Sequence, residues 1–279
     1  METKDTDNVA CIVKALTHDY ILYFTNQGRV FQGRVWDTPQ GTRTSKGKAV
    51  VNLITLRPEE KVTSILTYEA QAITENTNTS IFMATKKGTV KKTPFSDFAN
   101  IKSKGIIAIK LEPDDELLWI NLTDGNKYVI MISEKGKAIV FKESEVRETG
   151  RSTIGVRGMD IEKDDEIAAV DVFATEEFQK DLFVIGQNGV GKKTKLNLFK
   201  GQHRGGKGIK VASVDDKMGK IAFVQIINSE DTTVIITTTK GMVVKIPLSD
   251  IPSRSREAKG VILMRTKGDS GKVVSATLV

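Results

Sequence analysis

The sequence predicts an all-β chain of about five copies of one small antiparallel unit. Three observations predict it: a glycine-ended turn between strand-like runs recurs five times, a second glycine stays in step with the first, and no segment holds a helical period for long. The runs are "YILYFTNQGRVFQ" (20–32), "SIFMATKKGTVKK" (80–92), "YVIMISEKGKAIVFK" (128–142), "DLFVIGQNGVGKK" (181–193) and "TVIITTTKGMVVK" (233–245).

Each run is rich in Ile, Val, Phe, Tyr and Thr, which suit a pleated, half-buried surface. The x-x-Gly at its middle suits a tight hairpin whose glycine takes positive φ. Gly28, Gly88, Gly136, Gly189 and Gly241 end the turns, in steps of 60, 48, 53 and 52 residues. The second class is Gly47, Gly105, Gly155, Gly208 and Gly260, lying 19, 17, 19, 19 and 19 residues downstream. Units of about 50 residues holding several short strands resemble the blades of a propeller more than the shorter rungs of a linear β-solenoid. The expected organisation is one domain over 1–279, with units near 12–66, 67–120, 121–170, 171–226 and 227–279. "PFSDFANI" and "EFQKDLF" are expected to form single turns. Trp36, Trp119 and the phenylalanines are expected in the core or between blades.

Composition narrows the function classes. The chain has 279 residues, 42 Lys+Arg against 35 Asp+Glu, and a net charge of +7. Cys11 is the only cysteine, which excludes an intrachain disulfide and a cysteine metal cluster and fits a reducing cytoplasm. No apolar run reaches the roughly 18 residues that suggest a membrane span, and the polar, acidic start is unlike a signal peptide.

Catalytic constellations are absent. "GQNGVGKK" (186–193) approaches a phosphate loop, but Lys193 replaces the Mg²⁺-binding hydroxyl, and the repeat already makes the segment a hairpin. His18 and His203, the two histidines, lack metal-ligand spacing. There is no G-x-S-x-G elbow. The acidic stretches "EPDDEL" and "EKDDEI" do not keep one ligand set between copies and read as solvated turns. No cofactor and no catalytic residue is expected.

The positive charge keeps to two phases of the repeat. One is the strand after the turn glycine, with Arg29, Lys91, Lys92, Lys137, Lys142, Lys192, Lys193, Lys195 and Lys245. The other is the loop before the second glycine, with Arg43, Lys46, Lys48, Lys102, Lys104, Arg147, Arg151, Arg204, Lys207, Arg254, Arg256 and Lys259. On stacked blades both sets are expected to face one rim, which suits the phosphates of bent duplex DNA. The fourth unit is extreme: Leu182–Val214 holds seven basic residues, Lys200 and Lys210 among them, and no Asp or Glu. Arg204 and Lys207 flank a Gly-Gly pair there, and glycines let backbone N–H groups approach phosphates closely.

"QHRGGKG" (202–208) resembles the Q-R-R-G-G-K-G box of the C-terminal domains of DNA gyrase A, differing at His203. The likeness extends through "HDYILYFTNQGRVF", "IFMATKKGTVKKT", "FKESEVRETGRSTIGVRG" and "KGVILMRT". It implies a β-pinwheel: a propeller-like disc of five, possibly six, four-stranded blades that exchange strands. It further implies a non-catalytic domain that wraps double-stranded DNA with low sequence specificity and supports negative supercoiling. The implied partners are the N-terminal core of gyrase A and the gyrase B protein. The implied location is cytoplasmic, and the isolated domain is expected to be monomeric.

By that resemblance Gln202, His203, Arg204, Gly205, Gly206, Lys207 and Gly208 form the box loop. The family's principal box lies in the first of six blades. A box in the fourth of five units leads to the expectation that this chain starts after the usual first blade. None of the tyrosines follows an arginine as the family's strand-breaking tyrosine does. A topoisomerase IV-type domain that senses DNA geometry without strong wrapping, or a protein-interaction propeller, is the alternative reading.

Overall fold

A computed structural model describes residues 13–41, 47–69, 78–266 and 270–279. The described residues form nineteen strands. They are β1 (Tyr20–Thr25), β2 (Arg29–Arg34), β3 (Val62–Tyr68), β4 (Ser80–Thr85), β5 (Thr89–Pro94), β6 (Ile106–Ile107), β7 (Leu117–Thr123), β8 (Tyr128–Ser133), β9 (Lys137–Lys142), β10 (Val156–Arg157), β11 (Ile167–Phe173), β12 (Asp181–Gly186), β13 (Val190–Lys195), β14 (Ile209–Lys210), β15 (Ile221–Ile226), β16 (Thr233–Thr238), β17 (Val243–Pro247), β18 (Val261–Ile262) and β19 (Val273–Leu278). The only helical pieces among them are short 3₁₀ turns. Two of these, Phe95–Phe98 and Thr175–Gln179, overlap or adjoin the segments expected to turn.

The strands fall into two compact units, residues 1–126 with 146–157, and residues 127–145 with 158–279. The first unit holds two sheets of order β3-β1-β2-β6 and β10-β5-β4-β7. The second holds β11-β8-β9-β14, β15-β12-β13-β18 and the three-stranded β17-β16-β19. Every pairing between these strands is antiparallel.

One connection rule builds four of the sheets. A hairpin and a returning strand give three strands, and the fourth is a two-residue strand supplied by the next repeat. Thus β6, which follows the β4–β5 hairpin in the chain, pairs with β2, with Val30 opposite Ile106. β10 pairs with β5, β14 with β9, and β18 with β13. This exchange is the pinwheel form of an all-β repeat. Among the described residues the fifth sheet has three strands, where four were expected.

The two glycine classes have separate causes. The first ends the hairpin turn: its N–H bonds the carbonyl three residues back, as Gly28 does to Thr25 at 2.9 Å, and its φ is positive (+74° at Gly28). A hairpin of this length needs a left-handed residue there, which glycine supplies without a Cβ clash. Four of the second class, Gly105, Gly155, Gly208 and Gly260, stand where an exchanged strand crosses its acceptor. A Cβ on Gly208 would lie 2.5 Å from the Ala138 carbonyl oxygen, and one on Gly155 would lie 2.6 Å from that of Val90.

The cores follow strand alternation. In the first unit Leu22, Phe24, Val30, Ile81, Met83, Phe95, Phe98 and Leu117 pack together. In the second, Ile130, Val140, Leu182, Val184, Leu196, Phe199 and Ile221 form one cluster. Phe183, Ile185, Val234, Ile236 and Leu248 form another. Each such burial contributes about 1.5–3 kcal/mol, so the sheets are held by side chains from both faces. Trp36 departs from the expected core position. It lies in a 3₁₀ turn after β2, is 48% exposed, and packs edge-on to His18 and under the Arg34 guanidinium.

The acidic stretches form exposed turns, as expected, apart from one buried aspartate in each. Asp115 and Asp165 are 8% and 6% exposed. Each accepts a backbone N–H from the hairpin turn of its own sheet, Lys87 at 2.9 Å and Lys135 at 3.0 Å. They cap hairpins, which is why the acid recurs at that phase.

Candidate nucleic-acid interface

The segment before each exchanged strand is a loop of the next repeat laid over the second hairpin strand of the sheet that accepts it. This placement sorts the two sets of basic residues. Positions three and four beyond the turn glycine lie underneath the loop. Most basic residues of the loop lie on top, against solvent.

The expectation that Lys91, Lys92 and Lys192 meet phosphate is therefore corrected. They are 1%, 6% and 0% exposed. The Lys192 ammonium donates to the Ser255, Arg256 and Ala258 carbonyls at 2.8, 2.7 and 2.8 Å. Lys91 donates to the Ala108 and Arg151 carbonyls at 2.8 and 2.6 Å. Burial pushes both ammonium groups down to about 8, with the Arg256 charge adding at Lys192 and Arg151 at Lys91, where Asp97 opposes. At neutral pH both remain cationic, and three carbonyls around Lys192 call for all three of its protons.

Lys193 is half-buried and donates to the Leu248 carbonyl at 2.7 Å. Lys245 stands at the same phase as Lys92 and Lys193, yet is exposed, and among the described residues no exchanged strand pairs with β17. Lys195 is exposed beside Asp181, at 3.2 Å.

The loop set is accessible. Lys48, Lys102, Lys104, Arg147, Lys200, Lys207, Lys210, Arg254 and Lys259 are exposed, while Arg151, Arg204 and Arg256 are half-buried. Arg43 and Lys46 lie outside the described residues. Two of the cations are partly neutralised: Lys259 pairs with Asp215 at 2.5 Å and Arg256 with Glu257 at 2.8 Å.

The 202–208 loop is tied down by backbone contacts. Gln202 N–H bonds the Val140 carbonyl at 2.7 Å, Gly205 N–H that of Gly158 at 2.6 Å, and the Gly206 carbonyl accepts from Asp160 N–H at 2.9 Å. No lysine sits beneath it; Gly206 rests over Ile139. Arg204 turns inward, with Nε donating to the Glu145 carbonyl at 3.0 Å and its N–H to the Glu145 carboxylate at 3.1 Å. His203 Nδ1 lies 3.3 Å from that same carboxylate and is otherwise open to solvent. Lys207, Lys200 and Lys210 carry the outward charge of this loop.

Sequence reasoning missed Glu145, Glu60 and Arg57. Glu60 is 5% exposed and holds Arg29 at 2.7 Å. The sequence signal for Glu60 was its place in "RPEEKV", at the same phase as Asp115 in "EPDDEL" and Asp165 in "EKDDEI". Among the described residues no group of His, Cys, Asp or Glu is placed to hold a metal ion, and no helix is long and apolar enough to cross a membrane.

Comparison with known proteins gives a consistent set of relatives. The family model described as "DNA gyrase C-terminal domain, beta-propeller" matches residues 19–68, 79–124, 127–174, 180–228 and 232–279. The chain is 36% identical over 262 residues to the DNA gyrase A protein of Haloquadratum walsbyi, covering 94% of this chain and 30% of that protein. It is 34% identical over 275 residues to the DNA gyrase A protein of Staphylococcus epidermidis, covering 99% of this chain and again 30% of the relative. The chain thus spans about 30% of the length of these curated relatives. Among solved structures it is similar to a C-terminal domain of DNA topoisomerase IV, with a TM-score of 0.86, 25% identity, and coverage of 100% of this chain and 84% of that one. A DNA gyrase A C-terminal domain gives a TM-score of 0.77 at 22% identity, covering 95% and 83%, a likeness of fold.

Proposed function

The chain belongs to the family of DNA gyrase C-terminal domains, and on that premise we propose that it binds duplex DNA and wraps it over its exchange loops. The observation that carries the reading is the sorting of cations. Every described exchange loop carries at least one exposed cation, whereas Arg29, Lys91, Lys92 and Lys192 of the strand phase are buried.

Cations spaced by the repeat match a polyanion better than any single small ligand. Their contacts are to phosphate, which fixes position and carries little sequence information. Phosphate contacts offset the elastic cost of bending, about 1–6 kcal/mol for a 20–30 bp site. The domain makes and breaks no bonds. It works beside the gyrase A core and the gyrase B protein in the cytoplasm, where wrapping gives strand passage its supercoiling direction. The proposed binding set is Lys48, Lys102, Lys104, Arg147, Arg151, Lys200, Gln202, His203, Arg204, Lys207, Lys210, Lys245, Arg254, Arg256 and Lys259, joined on sequence grounds by Arg43 and Lys46.

A mobility-shift titration against salt tests this. Binding is expected at low salt and to weaken steeply as salt rises, because each neutralised phosphate releases counterions. No binding at low salt, or binding indifferent to salt, overturns the reading.

A further inference from the structure

The first unit contains a cleft of about 810 Å³ whose walls are Thr55–Arg57, Lys104–Ile107 and Arg151–Ser152, closed on one side by Asp97 and floored by Arg29. Three cations from three successive repeats open into it: Arg57, Lys104 and Arg151. None of the three makes an ion pair among the described residues, and Asp97 is the only carboxylate on the lining.

The floor is built. Arg29 is 9% exposed, is held by the buried Glu60, and bonds the Lys104 carbonyl. Lys91, 1% exposed, bonds the Arg151 carbonyl from below. Each buried cation thus fixes the backbone of a residue whose own side chain is free to turn outward. The fixed backbone reduces the freedom that Lys104 and Arg151 must give up on meeting a ligand. The buried Lys91 charge under the cleft also raises its positive potential, whereas that of Arg29 is offset by Glu60.

The geometry points to this cleft as a second seat for the duplex backbone, separate from the 202–208 loop, with Arg57, Lys104 and Arg151 as ligands of phosphodiester oxygens and Arg29 and Lys91 as positioning residues. Arg57 is the new member, because it belongs to neither phase of the basic repeat. Its guanidinium can bond a phosphate in bidentate fashion, as can that of Arg151, with Lys104 as a point charge. The inference rests on the DNA-binding reading above.

The test uses the full chain and one short duplex, titrated over a range of salt. Arg57→Gln, Lys104→Gln and Arg151→Gln together are compared with a control of equal charge, Lys14→Gln, Lys61→Gln and Lys87→Gln, three exposed lysines outside the cleft. Removing the partners of three phosphates should flatten the log-affinity against log-salt slope by about 2–3 and weaken binding at least tenfold, against less than one in slope for the control.

Lys91→Met removes no exposed charge. If it folds, judged by its melting curve, it should still weaken duplex binding several-fold; unchanged affinity in a folded Lys91→Met overturns the positioning role. Wild-type chain that binds duplex while the cleft triple matches the control overturns the seat and leaves the DNA reading standing. Wild-type chain that binds no duplex removes that reading itself. Pyrophosphate that binds the wild type but not the cleft triple, with duplex affinity equal in both, makes the cleft a small-anion site and also overturns the proposal.

Discussion

Replacing Lys192 with Met keeps the length of the side chain and removes the ammonium. On one side the change relieves the burial that pushes this group from 10.5 to about 8, or roughly 3 kcal/mol at 1.36 kcal/mol per pKa unit. On the other side it deletes three hydrogen bonds from a charged donor, worth roughly 1.5–3 kcal/mol each. The difference is a net loss of about 1.5–6 kcal/mol, at the low end if water reaches the Ser255 and Arg256 carbonyls.

The loss is local, since those carbonyls belong to the loop that carries Arg254, Arg256 and Lys259. Lys192→Met should therefore fold with a lowered melting temperature and bind duplex about tenfold or more weakly. Its salt slope should be flatter by about 1–3, up to 0.9 for each phosphate the loop no longer meets. The pH dependence has a definite sign. Between about 8 and 10.5 the unfolded chain holds a proton that folded Lys192 has released. Wild-type stability should therefore rise with pH across that window, by at most about 3 kcal/mol. Lys192→Met should lack the rise. Thermal melts at stepped pH and fluorescence-anisotropy titrations at several salt concentrations measure both effects. Unchanged affinity and slope in a folded Lys192→Met would refute the idea that this lysine organises the loop.

Burial pushes the Asp171 carboxyl up from 3.8 to about 6, with Glu177 adding to the rise and Lys180 opposing it. Stability should fall as pH climbs through that window, so Asp171→Asn should raise stability at pH 7.5 by about 1–2 kcal/mol, seen as a higher melting temperature, and change little at pH 4. Gly208→Ala puts a Cβ 2.5 Å from the Ala138 oxygen at φ +68°; a loss of about 2 kcal/mol or more in chemical denaturation is expected. Asp165→Ala leaves the Lys135 and Glu166 N–H groups without their acceptor and should cost about 1–3 kcal/mol in the same assay. Arg204→Ala with Lys207→Ala should weaken duplex binding more than Lys102→Ala with Lys104→Ala if the 202–208 loop is the main anchor; equal effects would make the loops of the first unit its peers.

The hairpins were legible because a single turn geometry demands glycine at one offset, and five copies display it. The second glycine was legible as a phase but not as a cause. Its reason is a close crossing with a strand from the preceding repeat, and a tertiary contact of that kind leaves no local pattern. The same gap explains the misplaced lysines. Lys91, Lys92 and Lys192 sit in lysine pairs on polar strand ends ("TVKKTP", "VGKKTK"), as surface lysines do, and nothing local announces the loop that covers them. Lys245, uncovered at the same phase, shows that the loop and not the strand decides their burial. The exposed loop set was readable because charge next to glycine, outside any strand pattern, has few places to go but solvent. Arg57 escaped notice because it follows no phase, and only the cleft brings it beside Lys104 and Arg151.

Wrapping, as distinct from binding, is tested most directly by topology. The chain is incubated at low salt with relaxed closed-circular plasmid and a type I topoisomerase, the protein is stripped, and the topoisomers are resolved on a gel. Wrapping predicts a distribution displaced from the protein-free control in proportion to chain bound, with the displacement lost at high salt and reduced in Lys192→Met. Plasmid that is bound but shows an undisplaced distribution would contradict the account.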